Sequence, residues 1–151
     1  MRIAVGSDHR GVSLRTKLVE LLHRLGEEVV DVGKDDLDNV DYPDVAEVVA
    51  RKVSTHEVDR GILICGTGLG MCIVANKVPG VRAAPCHDSV TAELSRRHND
   101  LNVLCLPGDI MSEKTLDRLV EIWLHTPFEG GRHARRLRKV AQLEQNGNGK
   151  P

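Results

Sequence analysis

The stretch Gly61-Ile-Leu-Ile-Cys65-Gly66-Thr67-Gly68-Leu69-Gly70-Met-Cys-Ile-Val-Ala75-Asn76 decides the fold. A short, uninterrupted apolar run ends in a cysteine, as in a strand buried on both faces of a parallel sheet. Three glycines at alternate positions follow; they let the backbone turn sharply and bring its N–H groups close to a ligand. The next apolar segment is long enough to start a helix. A helix beginning near Leu69 would set those N–H groups at its positive end, where an anion or a developing oxyanion is favoured. Cys65 and Thr67 bring a thiol and a hydroxyl to the turn.

Working outward, the chain alternates strands and helices. Arg2–Gly6 reads as a first strand, and Ser7–Gly11 as a polar turn. Leu14, Leu18, Leu21, Leu22 and Leu25 then mark one face of an amphipathic helix that Gly26 would cap. Glu28–Val32 is a second strand and Gly33–Asp41 a polar loop. Pro43 suits the first turn of a helix whose buried face would be Val45, Val48, Val49 and Val53. Ile62–Cys65 is the third strand, followed by a helix to about Lys77. Val81–Cys86 is a fourth strand, Ser89–Arg97 a helix and Leu101–Leu106 a fifth strand. Thr115–His125 is a helix packing through Leu116, Leu119, Val120 and Trp123. After Gly130-Gly131 a basic helix runs from Arg132 to about Glu144, and the polar tail 145–151 is expected to be disordered. This order implies an α/β domain: a parallel sheet with helices on both faces, in a single unit over residues 1–144. In such sheets ligands bind at the carboxyl ends of strands, where Ser7–Gly11, Cys65–Gly70 and Leu106–Asp109 lie.

Composition narrows the function. The formal net charge of the 151 residues is −1, and Tyr42, Trp123 and Phe128 are the only aromatics of that class. No basic field or stacking platform for nucleic acid is expected. No apolar run approaches the roughly 20 residues that span a bilayer. The N-terminus enters a strand pattern at once, so no secretory signal is expected and the location is read as cytoplasmic. Cys65, Cys72, Cys86 and Cys105 lack C-x-x-C spacing, which argues against zinc or a disulfide framework.

The glycine loop fits neither phosphate-loop pattern. Gly66-x-Gly68-x-Gly70 lacks the dinucleotide spacing and follows the third strand, and no Gly-Lys-Ser/Thr is present. Cys65 could be inert, like many strand-end cysteines, but it sits against a glycine loop and a helix start, which favour a thiolate. Cys72, Cys86 and Cys105 lack that setting and read as core. Asp8-His9 could be a turn with a helix cap, and His98-Asn99-Asp100 a helix terminus. Two loop histidines beside carboxylates or amides in one α/β domain instead favour a site. Arg132 and Arg136, four residues apart, project side by side as a clamp for phosphate or carboxylate, or form a solvated face.

These motifs resemble the ribose-5-phosphate isomerase B family, which includes the galactose-6-phosphate isomerase subunits. The resemblance runs from about Met1 to Glu144. It is carried by Gly6-Ser-Asp8-His9-x-Gly11, Asp41-Tyr42-Pro43, Gly61–Gly70, Ala75-Asn76-Lys77, Ser95-Arg-x-His98-Asn99-Asp100-x-Asn102-Val103 and Gly130-Gly-Arg132-His133. It implies a Rossmann-like three-layer sandwich with a five-stranded parallel sheet. It also implies a homodimer, or a tetramer of paired dimers, with active sites at the subunit interface. The implied reaction interconverts an aldose and a ketose phosphate, most simply ribose 5-phosphate and ribulose 5-phosphate, through an ene-diolate without metal or cofactor. By the same resemblance Cys65 is the base and Thr67 assists at the sugar oxygens. The N–H groups of Gly66, Gly68 and Gly70 hold the ene-diolate oxygen. His98 opens the furanose ring with Asp8 nearby, Tyr42 and Asn99 line the sugar site, and His9, Arg132 and Arg136 hold the phosphate from the other subunit.

One position departs from the pattern. The family's arginine after the fifth strand falls at Asp109, and an anion beside a phosphate dianion costs affinity. Arg10, beside His9, is the candidate compensating cation. The departure leaves another sugar as an alternative substrate (a hexose 6-phosphate, a tetrose phosphate or a free aldose). A non-catalytic sugar-phosphate-binding subunit is the alternative from a different class.

Overall fold

The computed structural model describes residues 1–33 and 40–147. The chain forms β1 Arg2–Ser7, α1 Val12–Arg24, β2 Glu28–Asp31, α2 Tyr42–Ser54, β3 Arg60–Cys65 and α3 Leu69–Ala75. It continues with β4 Ala83–Pro85, α4 Ser89–Asn99, β5 Val103–Pro107, α5 Glu113–His125 and α6 Gly131–Gly147. Five strands make one sheet in the order β2-β1-β3-β5-β4, with every pairing parallel.

Strand side chains alternate between the two faces, and each face buries its own core. Ile3, Val5, Ile62, Ile64, Leu104 and Leu106 pack with Leu14, Leu18, Leu22, Leu116, Leu119 and Trp123 from α1 and α5, and with Ala92 of α4. The alternate residues Ala4, Leu63, Cys65, Val103 and Cys105 pack with Val45, Val49 and Val53 of α2 and Met71 and Ala75 of α3. Three layers result. Both faces of the strands are covered, which is why the strands read as continuous apolar runs. Among the described residues no helix is long and apolar enough to cross a membrane.

Local rules set most boundaries. Gly26 takes φ +79, its N–H donates to His23 O, and Glu27 N–H donates to Leu22 O, closing α1 in a Schellman motif. Asp88 and Ser112 cap α4 and α5 by accepting from Thr91 N–H and Thr115 N–H. Three expectations are corrected. Val48 is 45% exposed. The buried stripe of α2 is Val45, Ala46, Val49, Ala50 and Val53, and Val48 lies about 130° around the helix from its centre. Strand β4 is shorter than Val81–Cys86, because side chains take over its entry: Arg82 N–H donates to Asn102 Oδ1 and Ala83 N–H to Asn76 Oδ1. Cys72 is only half-buried. Helix α6 carries on past Glu144 to Gly147, and residues 148–151 of the tail lie outside the described residues, as does 34–39 of the Gly33–Asp41 loop.

Leu104 is fully buried between β3 and β4 in the larger core. Leu104→Ala should lower unfolding stability by about 2–5 kcal/mol. At fixed protein concentration this is read as a fall in the urea midpoint with unchanged slope.

Candidate active site

The sheet order makes a crevice. From β1 the chain crosses to β2 on one side, while β3 lies on the other, and α1 and α3 leave towards opposite faces. Loops diverging at the carboxyl ends of β1 and β3 open the cleft that such sheets use for ligands. Asp8, His9, Arg10, Cys65, Thr67 and the glycine loop are there.

Backbone hydrogen bonds stitch this edge together. Asp8 N–H donates to Ile64 O at 3.2 Å, Gly108 N–H to Cys65 O at 2.7 Å and Asp109 N–H to Gly66 O at 3.2 Å. The loops after β1, β3 and β5 therefore hold one another. Asp8 is buried, and its Oδ1 accepts from Arg10 N–H at 2.9 Å. His9 is exposed beside it.

Cys65 is 6% exposed, and its sulfur accepts a hydrogen bond from Gly68 N–H at 3.2 Å. The sulfur faces a donor rather than a wall of hydrocarbon. Gly68 takes φ +77, which a side chain would resist, and a β-carbon there would press on the Leu106 backbone at 3.3 Å. Thr67 is exposed, its Oγ1 accepting from Leu69 N–H at 3.3 Å. A β-carbon on Gly70 would lie 2.9 Å from the ring of Tyr42, so Tyr42 at the start of α2 lies against the glycine loop. The other thiols differ. Burial pushes Cys86 up to about 11. A mutual hydrogen bond holds Cys105 well above the ordinary thiol range and Cys72 below it.

The remaining predicted residues gather elsewhere. Helices between parallel strands run back along the sheet, so α4 ends at the opposite edge from Cys65. Leu101 N–H donates to Ser95 O, and Asn102 O accepts from Gly61 N–H, which places the end of α4 level with the start of β3. From the Gly61–Val103 pair to the Cys65–Pro107 pair the sheet extends about 13 Å at roughly 3.3 Å per residue. His98 therefore lies at the edge opposite Asp8 of its own chain, and His9, beside Asp8, is not grouped with Arg132 and Arg136 as expected.

His98 instead stacks on His133, with ring centroids 4.2 Å apart and planes 5° from parallel. Their Nε2 atoms lie 4.0 and 3.6 Å from Glu129 Oε2. Glu129 Oε1 in turn accepts from Arg97 Nε at 2.5 Å, which holds the Glu129 carboxyl below its usual range. Exposed Asn99, Arg132 and Arg136 flank this cluster. His98, Glu129 and His133 are close enough to suggest metal ligands, but the geometry does not fit. Lone pairs of parallel rings lie in parallel planes, whereas a tetrahedral ion needs them to converge.

Sequence reasoning missed Glu129 and the Arg10–Asp109 ion pair. Glu129 carried a weak signal in its i,i+4 spacing to His133. Arg10 and Asp109 are too far apart in sequence for any local pattern to join them.

The sequence profile of the Ribose/Galactose Isomerase family matches residues 3–140. Ribose-5-phosphate isomerase B of Escherichia coli is 43% identical over 147 residues, covering 97% of this chain and 99% of that protein. D-erythrulose-4-phosphate isomerase of Pectobacterium atrosepticum is 38% identical over 95% of both chains. Ribose-5-phosphate isomerase B of Clostridium thermocellum superposes with a TM-score of 0.95 at 46% identity, covering 97% of this chain and 99% of the other. The Mycoplasma genitalium enzyme of that name, solved with bound ribulose-5-phosphate, gives 0.92 at 44% identity, covering 95% and 96%.

Burial, with the nearby charges of His98 and Arg132, lowers the His133 pKa below 6.5. The folded state then takes up a proton less readily than the unfolded one. The stability this confers is complete above pH 6.5 and is lost as pH falls through the folded pKa. His133→Asn should make stability between pH 6.5 and 5 less steeply dependent on pH, as measured by urea titration at each pH.

Proposed function

The chain belongs to the Ribose/Galactose Isomerase family, and we propose that it interconverts ribose 5-phosphate and ribulose 5-phosphate at a site shared between two copies. It is an aldose–ketose isomerase. The observation that carries the finer reading is Cys65: a thiol at the end of β3, accepting from Gly68 N–H and set in the cleft edge of the sheet.

The reaction moves one proton between adjacent carbons. Starting from the aldose, the Cys65 thiolate takes the proton from C2, and negative charge passes to O1 as the C1–C2 ene-diolate forms. O1 is then protonated, O2 gives up its proton, and the proton on Cys65 returns to C1, which leaves the ketose carbonyl at C2. Negative charge develops on oxygen, and the N–H groups of Gly66, Gly68 and Gly70 are the donors for it, that of Gly68 shared with the Cys65 sulfur on which it rests. Thr67 moves protons at the sugar oxygens. The cyclic substrate must first open, a step that needs an acid at the ring oxygen and a base at O1; His98 and Asp8 take it. Tyr42 and Asn99 line the sugar, and His9, Arg132 and Arg136 hold the phosphate.

A single chain cannot assemble this set, because His98, Asn99, Arg132 and Arg136 sit at the edge opposite Cys65. A second copy would bring one edge to the other. Uncovered apolar side chains support that arrangement: Leu69 and Ile73 on α3 are 54% and 62% exposed, and Val140 and Leu143 on α6 are 46% and 71% exposed. A symmetric pair would build two equivalent sites. Phosphorylated sugars of another length form a second reading, favoured by the relative named for D-erythrulose 4-phosphate. Comparing kcat/KM across aldose phosphates separates the two.

Incubation with ribose 5-phosphate in D₂O should introduce deuterium at carbon, and Cys65→Ala should abolish that exchange. Full exchange in the variant would assign the base elsewhere. Cys65→Ala and His98→Ala, each inactive alone, should regain about a quarter of wild-type activity when unfolded and refolded together, since half the pairs are mixed and each mixed pair holds one intact site. No recovery would place both residues in one subunit's site.

A further inference from the structure

At the mouth of the cleft, Arg10 of the β1–α1 loop forms an ion pair with Asp109 of the β5–α5 loop through Nη2 and Oδ2. The pair lies over the first glycine after Cys65. A β-carbon on Gly66 would be 2.9 Å from Arg10 Cζ and Nε and 3.0 Å from Asp109 Oδ2. Both backbones are fixed from below: Arg10 N–H donates to Asp8 Oδ1, and Asp109 N–H donates to Gly66 O. The Arg10 side chain is 57% exposed, and among the described residues Asp109 takes its one side-chain hydrogen bond. Asp109 occupies one N–H of Nη2, so the second N–H of Nη2 and the parallel N–H beside it on the other edge remain for another acceptor.

We propose that Arg10 binds the phosphate of the substrate directly and that Asp109 is a positioning residue, holding the guanidinium across Gly66 with its open edge towards the cleft. A planar guanidinium bonded to a carboxylate on one edge presents parallel N–H groups on another, a geometry that matches two phosphate oxygens. Asp109 would repel a phosphate bound to Arg10, a repulsion that the high dielectric of this exposed edge weakens. What it supplies is order in a long side chain that would otherwise lose rotamer freedom on binding. This assignment rests on the sugar-phosphate reading of the cleft and adds to it the residue that reads the anionic group and the residue that aims it.

The test is a double-mutant cycle with inorganic phosphate as probe. It is followed as the competitive inhibition constant against ribose 5-phosphate and, independently of turnover, as the dissociation constant by calorimetry. Arg10→Ala should weaken phosphate by about tenfold, the loss of a charge-assisted hydrogen-bonded contact, with the effect on substrate carried in KM rather than kcat. Asp109→Asn should weaken phosphate about threefold in the wild-type background, by loss of the pinning charge. In the Arg10→Ala background the same change should be neutral or tighten binding, because Asp109 then only repels. A merely structural ion pair would lower the melting temperature in both single variants and leave phosphate affinity within twofold. That result overturns the proposal, as does tighter phosphate binding by Asp109→Asn alone, or an Arg10→Ala effect confined to kcat. If wild-type protein fails to turn over ribose 5-phosphate, the substrate reading fails on its own, and the calorimetric cycle still decides the role of Arg10.

Discussion

In an all-parallel sheet every strand must be followed by a segment that carries the chain back to the starting edge. That constraint organises this molecule. Loops leaving the strands collect at one edge, and the ends of the returning helices collect at the other. Cys65, Thr67 and Asp8 belong to the first group, His98 and Asn99 to the second. The length of the strands keeps the groups apart, since each end of β3 and β5 is fixed by the ladder that buries them. The proposal of a shared site answers that separation with a second copy, and the exposed apolar positions on α3 and α6 are what support it.

Within the strand-end edge, precision comes from backbone rather than side chains. Cys65 O and Gly66 O accept from the N–H groups of Gly108 and Asp109, and Ile64 O from Asp8. Three loops that would each be mobile alone become one rim. The glycines serve the same end. Gly68 turns in the left-handed region to aim its N–H at the Cys65 sulfur, while Gly66 and Gly70 leave space for Arg10 and the ring of Tyr42.

The cysteines illustrate how place decides chemistry. Cys65 and Cys105 are neighbours across β3 and β5 and face the same core. Cys105 lies in mid-strand, shut in with hydrocarbon and hydrogen-bonded to Cys72, and its thiol is held neutral. Cys65 lies at the strand end, where the ladder gives way to loop N–H groups. The two residues are alike in type and nearly alike in burial; a step of two along the sheet separates a thiol shut into the core from one that meets the N–H of a cleft loop.

What the sequence determined by itself was whatever depends on near neighbours. Apolar runs and helical periodicity specified the strands and most helix faces. Gly26 and Pro43 marked helix ends, and the spacing around Cys65 marked the cleft, because backbone conformation and burial of one face are local properties. Only the tertiary structure decided which distant groups meet. Arg10 with Asp109, and His98 with Glu129 and His133, are joined by folding across the sheet, and no period in the chain encodes them. The same limit explains Val48, whose side of α2 faces solvent because the sheet meets a neighbouring stripe, and the division of the site residues between two edges. Local pattern specifies what an element is and which of its faces is apolar; the direction of the strands and the packing of the layers specify what that face and each end of the element will touch.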